Sequence, residues 1–269
     1  MTWKQRLLQP PSLEDWATVL QAWRLWIVAG LLGALLGAVV YRLAPPPYRA
    51  QAEVIVDYNM EEAWPTDTDR EMFEFLAREN KKLEALAWSD AVLERTATYA
   101  KTPLDPAWRQ GQFILRDEHD GRWHFWVIAR DAPAATRLAR AWAQAFTDEV
   151  RQRVGIALAL LTKRAALAEV GKQQEQWHQQ CASTPPPTEC EAKLRVLDER
   201  QTTLQKDIAA LEEASGGISP YIEVFFAQAE HLPVERRSPL AAYTLTGALA
   251  GLVLALGWAL GFGRPSHDH

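Results

Sequence analysis

The sequence predicts an α+β membrane protein: two transmembrane helices bracket an extracytoplasmic α/β domain that carries a protruding antiparallel helical hairpin. Three observations predict it. Leu25 to Tyr41 reads LWIVAGLLGALLGAVVY, 17 residues without a charge, and Pro239 to Phe262 reads PLAAYTLTGALAGLVLALGWALGF, again uncharged. A helix needs roughly 20 residues to cross a hydrocarbon core about 30 Å thick, so each run is long enough once Leu43 and Ala44 extend the first. Between them lie about 195 residues, enough for one domain with its own core. The third observation is a long helical repeat after Pro133 with a heptad-spaced return after Cys190.

The sections follow in order. Residues 1–24 form a cytoplasmic or interfacial lead-in. Within it Leu13, Trp16, Ala17, Leu20 and Trp23 share one helical face, and the tryptophans suit the membrane interface. Residues 25–44 are the first transmembrane helix; Lys4, Arg6 and Arg24 precede it. Its apolar run exceeds the 7–15 residues of a signal-peptide core, and Arg42-Leu43-Ala44-Pro45 is a poor cleavage site, so it is read as a retained anchor. Residues 45–238 are the extracytoplasmic domain, residues 239–262 the second span, and residues 263–269 a cytoplasmic tail.

Inside the domain, Ala50, Ala52, Val54 and Val56 alternate with Gln51, Glu53, Ile55 and Asp57, the period of a half-buried strand. Residues 68–101 carry two helical stripes, Met72, Phe75, Leu76, Leu83 and then Val92, Leu93, Ala97, Tyr99, the second begun by Ser89 or Asp90. QFILRD and RWHFWVIAR flank Asp120-Gly121, a strong hairpin signal, with Trp123, Phe125, Val127 and Ala129 assigned to the core. A helix over 133–180 then presents Leu138, Ala139, Trp142, Ala145 and Phe146 to a sheet. Farther on, Val150, Val154, Ala157, Leu161 and Ala168 narrow towards a coiled-coil seam. Gly155 and Gly171 are points where that helix could bend. The return helix, 190–214, repeats Leu194, Leu197, Leu204, Ile208 and Leu211, with Gln201 as a polar seam position. YIEVFFA is a last strand. It precedes one span as the first strand follows the other, so the two are expected to be neighbours in one sheet.

The two cysteines, Cys181 and Cys190, are the candidate disulfide, closing a proline-rich loop. The pair favours an oxidising compartment and so places the middle domain outside the cytoplasm. The charges around the spans do not decide orientation, because Arg42, Arg49, Arg236 and Arg237 crowd the other side. The glycines of the spans are candidate helix-packing positions. Gly33 and Gly37 in the first, and Gly247, Gly251, Gly257 and Gly261 in the second, make three small-xxx-small faces.

The chemistry of catalysis is missing. No phosphate loop, HExxH or GxSxG occurs, so no catalytic, cofactor-binding or metal residues are assigned and no cofactor is expected. His119 and His124 flank a turn beside Asp117 and Asp120, but side chains there are expected to be solvated. Trp64, Trp88, Trp108 and Trp177 could stack on sugars, though packing is the commoner use. The net charge of −5 and the absence of a basic run argue against a nucleic-acid partner.

WATVLQAWRLWIVAG, then APPPYRAQAEVIVDYN, then WVIARDAPAATRLARAWAQAFTDEV and the proline-bracketed LPVERRSPL occur in an order that resembles the polysaccharide co-polymerases, the Wzz-type chain-length determinants. The third piece is similar to that family's strand followed by a helix beginning D-P-x-x-A. The resemblance implies a non-enzymatic, multi-pass protein of the cytoplasmic (inner) membrane. It implies a homo-oligomer that sets glycan length beside a polysaccharide polymerase or exporter, with the growing glycan and membrane lipid as further contacts. The helical arm is short for the family, the cysteines are not a family feature, and the kinase module of one branch does not follow the second span. An adaptor for an exporter or a separate tyrosine kinase is an alternative. So is a two-span sensor acting through a partner, since seven residues after Phe262 cannot form an output module.

Overall fold

The structure, a computed structural model, describes residues 23–59, 69–103, 111–117, 120–183, 187–227 and 231–262. The expected lead-in helix and tail fall almost wholly outside them, as do Trp64, Trp108 and His119. The chain divides into two compact units, Met1–Arg49 with Glu235–His269, and Ala50–Val234.

In the first unit, α1 (Trp23–Leu43) packs along α6 (Leu240–Phe262). Both are long and apolar enough to cross a membrane. Their leucines and valines are mostly exposed, as befits helices whose surroundings are lipid rather than water. Pro45, Pro46 and Pro47 end α1, having no N–H to continue it.

The middle of the chain, mostly the second unit, forms a mixed sheet and helices. The strands are β1 (Tyr48–Tyr58), β2 (Phe113–Asp117), β3 (Arg122–Ala129), β4 (Ile222–Phe226) and β5 (Val234–Arg236). The first four lie in the order β2-β3-β1-β4, and β5 also pairs with β1. The entry and exit strands are therefore neighbours, as expected: β1 and β4 run antiparallel with Val56 opposite Val224 and Tyr58 opposite Ile222. The strand β5 was not anticipated, because three residues between prolines carry no periodicity to read.

The expected hairpin is present, with Phe113 opposite Val127 and Leu115 opposite Phe125. Gly121 turns it at φ +84, and a Cβ there would collide with the Val56 carbonyl. Glycine is needed twice over, since Val56 N donates to the Gly121 carbonyl at 2.8 Å.

Two helices, α2 (Asp69–Ala87) and α3 (Asp90–Ala100), precede the hairpin. Ser89 caps the second by accepting from Val92 N. Helix α4 (Ala132–Ser183) follows β3, and α5 (Pro187–Ser215) returns along it. Asp131 starts α4, its carboxylate accepting from Ala134 N at 2.7 Å. The first turns of α4 close the core: Trp142 sits within 4.9 Å of the Phe113 ring and 4.8 Å of Phe125, and Phe146 stacks on Trp123. The Trp142 indole N–H donates to the Ala87 carbonyl at 3.0 Å, so its polar edge is satisfied where it is buried.

The structure sharpens three sequence expectations. The long helix runs unbroken through Gly155 and Gly171, as one helix of 52 residues. Its seam also differs in phase: Leu161 is 37% exposed and Ala168 is exposed, while Leu160 and Val170 are buried. The run Ile156–Leu161 offers apolar residues on several faces, so spacing alone does not say which leucine faces the partner helix. Finally, both helices extend further into the proline-rich segment than expected: Cys181 is in the last turns of α4 and Cys190 in the first turn of α5, because α5 opens at Pro187, a residue favoured at the first helical position.

Candidate functional site

With no catalytic cluster expected, the features that could carry function are the two helix pairs and the polar groups at the root of the hairpin.

The span pair is built on glycine. A Cβ added at Gly33 would collide with the Gly247 carbonyl, one at Gly37 with the Tyr243 carbonyl, and one at Gly251 with the Ala29 carbonyl. The helices therefore meet backbone to backbone, as small residues allow in lipid. Gly257 has nothing within 4 Å and takes no part in this contact. The surroundings of Gly261 are outside the described residues. At one end of the pair Tyr41 and Tyr243 meet edge to face, ring centroids 5.4 Å apart.

The hairpin pair is built differently. Val170, Leu197 and Leu204 form a buried seam, with Ala166, Leu167 and Trp177 against it. Trp177 is thus a packing residue, and Lys193 Nζ lies 5.7 Å from its ring centroid. Ion pairs flank the seam: Lys163 with Asp207 at 2.7 Å and Arg164 with Glu212 at 2.6 Å. Gln174 donates to Asp198 at 2.7 Å. Cys181 and Cys190 are bonded, their Cα atoms 6.0 Å apart, and strap the far ends of α4 and α5 together.

Two buried carboxylates hold the root of this hairpin, and sequence reasoning missed both. Glu149, 4% exposed, pairs with Arg95 at 3.2 Å and Arg153 at 2.9 Å. Arg153 in turn donates to the Ala214 carbonyl near the end of α5. Glu79, 3% exposed, pairs with Lys82 and accepts from Ser219 N at 3.1 Å. Lys82 also donates to the Gly217 carbonyl. The segment after α5 is therefore fastened by charge-assisted bonds. Nearby, Tyr58 donates to Asn80, which donates to Asp117 at 3.1 Å. Burial first, then the Glu79 and Asp117 charges, push the Tyr58 hydroxyl well above its usual range. The only prior signal was a Glu at position 79 on the apolar side of a helical stripe.

His124 corrects the expectation of a solvated strand end. It is 6% exposed, with Nδ1 2.5 Å from Gln51 Nε2, because β3 is an inner strand with neighbours on both sides. Among the described residues no three His, Cys, Asp or Glu side chains gather as a metal would require. Trp88 packs on Trp142 at 4.9 Å and is engaged in the core.

No family model and no curated protein matches the chain. Among solved structures, it is similar to a full-length bacterial polysaccharide co-polymerase. The two are 12% identical, the match covers 93% of this chain and 98% of that one, and the TM-score is 0.37.

Proposed function

We propose that this chain is a non-enzymatic membrane scaffold that regulates the chain length of a surface or secreted polysaccharide, a polysaccharide co-polymerase acting as a homo-oligomer beside a polymerase or exporter. The observation that carries the reading is how the chain enters and leaves its sheet. α1 leads through Pro45–Pro47 into β1, and β5 leads into α6, with β5 paired to β1. Gln51 N donates to the Pro233 carbonyl at 3.2 Å, and Arg237 N to the Pro47 carbonyl at 2.9 Å. A sheet entered directly after one apolar helix and left directly before the other, with a strapped helical hairpin inserted in the same chain, supplies the parts of a positioning device. The residues that resemble the co-polymerases fall on those parts: APPPYRAQAEVIVDYN on the entry strand, and WVIARDAPAATRLARAWAQAFTDEV on β3 and the start of α4.

In this reading the middle domain is outside the cytoplasm of a cell with an inner membrane, and the assembly holds the polymerase and the growing glycan near one another for a set number of additions. Deleting the gene leaves polymer synthesis running while its modal length is lost or shifted. Loss of all polymer, or an unchanged length distribution, overturns the proposal. The orientation has its own test. A membrane-impermeant thiol reagent on intact cells labels Cys181 and Cys190 only after reduction; protection that persists after reduction overturns the assignment.

A further inference from the structure

An open groove of about 710 Å³ runs along the α1–α6 pair, within the ~300–1,000 Å³ typical of ligand pockets. Leu32, Leu36 and Val40 line it from α1, and Ala250 and Leu254 from α6, with Ser238 at one end. These side chains are apolar and, apart from Ser238, exposed. The groove thus offers a long hydrocarbon surface that ends beside a hydroxyl.

That end carries a concentration of positive charge. Arg42 stands in the last turn of α1, and Arg236 and Arg237 immediately precede Ser238. Arg49 is engaged with Glu235. Arg236 is held in place: its guanidinium lies 5.0 Å from the Tyr41 ring centroid and 5.2 Å from that of Tyr48, and it donates to the Tyr48 hydroxyl at 3.2 Å. Among the described residues Arg42 and Arg237 have no side-chain partner, and both are exposed. Positions 42–49 and 235–237 together hold four arginines and one glutamate, leaving an excess of positive charge where α1 ends and α6 begins. The opposite end of the pair, among the described residues, has only Arg24. It lies beside the Trp23 ring, 5.6 Å from its centroid.

We infer that this groove and collar form a binding site for one anionic phospholipid, its acyl chain along Leu32, Leu36 and Leu254 and its phosphate at Arg42, Arg237 and Ser238. Charge complementarity selects this occupant. A neutral apolar helix would fill the groove and leave the arginines unanswered, whereas a lipid with a negative headgroup satisfies both. Arg236 orders the collar through the two tyrosines, leaving Arg237 and Arg42 for the phosphate as charge-assisted donors. The bilayer around the two apolar helices supplies the ligand. The inference rests on α1 and α6 lying in a membrane but not on the polysaccharide reading, and its test is read without any glycan.

The experiment is native mass spectrometry of the full chain released from micelles doped with phosphatidylglycerol or phosphatidylcholine. Wild type is expected to retain phosphatidylglycerol in preference. The pair R42Q/R237Q is expected to lower that retention about thirtyfold, the size that follows from roughly 1 kcal/mol per interfacial arginine. R24Q, at the other end of the same helices, leaves it unchanged. A250W, which fills the groove without touching the arginines, lowers it as well. Melting temperatures in detergent distinguish lost binding from lost folding. Equal retention of the two lipids, or equal loss in R24Q and R42Q/R237Q, overturns the site. So does efficient oxidative crosslinking of A250C to another polypeptide in the membrane, which would show that a protein helix fills the groove.

Discussion

The two helix pairs of this molecule solve one problem by opposite means. In α1 and α6 the contact positions are glycines, no charge takes part, and leucines point outward. In α4 and α5 the contact positions are Val170, Leu197 and Leu204, and ion pairs and a disulfide reinforce them. The difference follows from the solvent. In lipid, burying a leucine against another helix gains little, because the acyl chains are as apolar as leucine, so close backbone approach has to supply the attraction. In water, the buried seam itself drives pairing, at about 25 cal/mol per Å² of apolar surface, and a thin two-helix arm gains from added cross-links.

The largest expected effect breaks the span pair. Gly33→Leu with Gly37→Leu pushes a side chain into the carbonyls of Gly247 and Tyr243, and overpacking of this kind costs about 1–3 kcal/mol per site. Thermal unfolding in mild detergent should show the loss, whereas Gly257→Leu, where nothing lies within 4 Å, should leave the midpoint unchanged. Equal effects at the two places would mean that the glycines are not what holds the spans together.

The hairpin should respond more locally. Removing the disulfide with Cys181→Ala and Cys190→Ala frees a loop spanning nine positions, worth about 2.6 kcal/mol in the loop-entropy model. Hydrogen exchange should rise over roughly the last turns of α4 and the first of α5, while protection at β3 and Trp142 holds. Leu204→Ala, which trims the seam, is expected to cost about 2 kcal/mol, the low end for a buried leucine, because two helices can close on the gap. If exchange rose across the sheet as well, the arm and the sheet would unfold as one unit.

How much of this was legible beforehand varies with the physics. The spans, the Asp-Gly hairpin and the strand at Ala50–Val56 announce themselves, since length, turn chemistry and a period of two are local properties. The seam of α5 was readable because Leu197, Leu204 and Ile208 are separated by weaker residues. That of α4 was not, because Leu158, Leu160 and Leu161 compete within one turn and only the partner helix chooses among them. The roles of Glu79 and Glu149 were missed for a different reason: their partners Ser219 and Arg95 are brought to them only by the fold. Likewise the groove beside Arg42 and Arg237 exists only once α1 and α6 are paired.

The smallest effect sharpens the comparison most, because it isolates the electrostatic share of the hairpin that the spans lack altogether. Lys163 and Asp207 meet at 2.7 Å with both side chains 42% exposed. Water screens such a pair, and holding two long side chains in one geometry has an entropic cost, so coupling of about 0.2–1 kcal/mol is expected. A double-mutant cycle with Lys163→Met and Asp207→Asn measures it directly, since each single change removes the attraction and the double change removes nothing further. The coupling should shrink as ionic strength rises and the Debye length falls from about 10 Å at 0.1 M salt to about 3 Å at 1 M. A coupling that exceeds this range and ignores salt would mean that the pair is sheltered by a neighbouring copy, because only desolvation strengthens an ion pair while protecting it from screening. Zero coupling at low salt would leave the apolar seam and the disulfide as the whole of what joins α4 to α5.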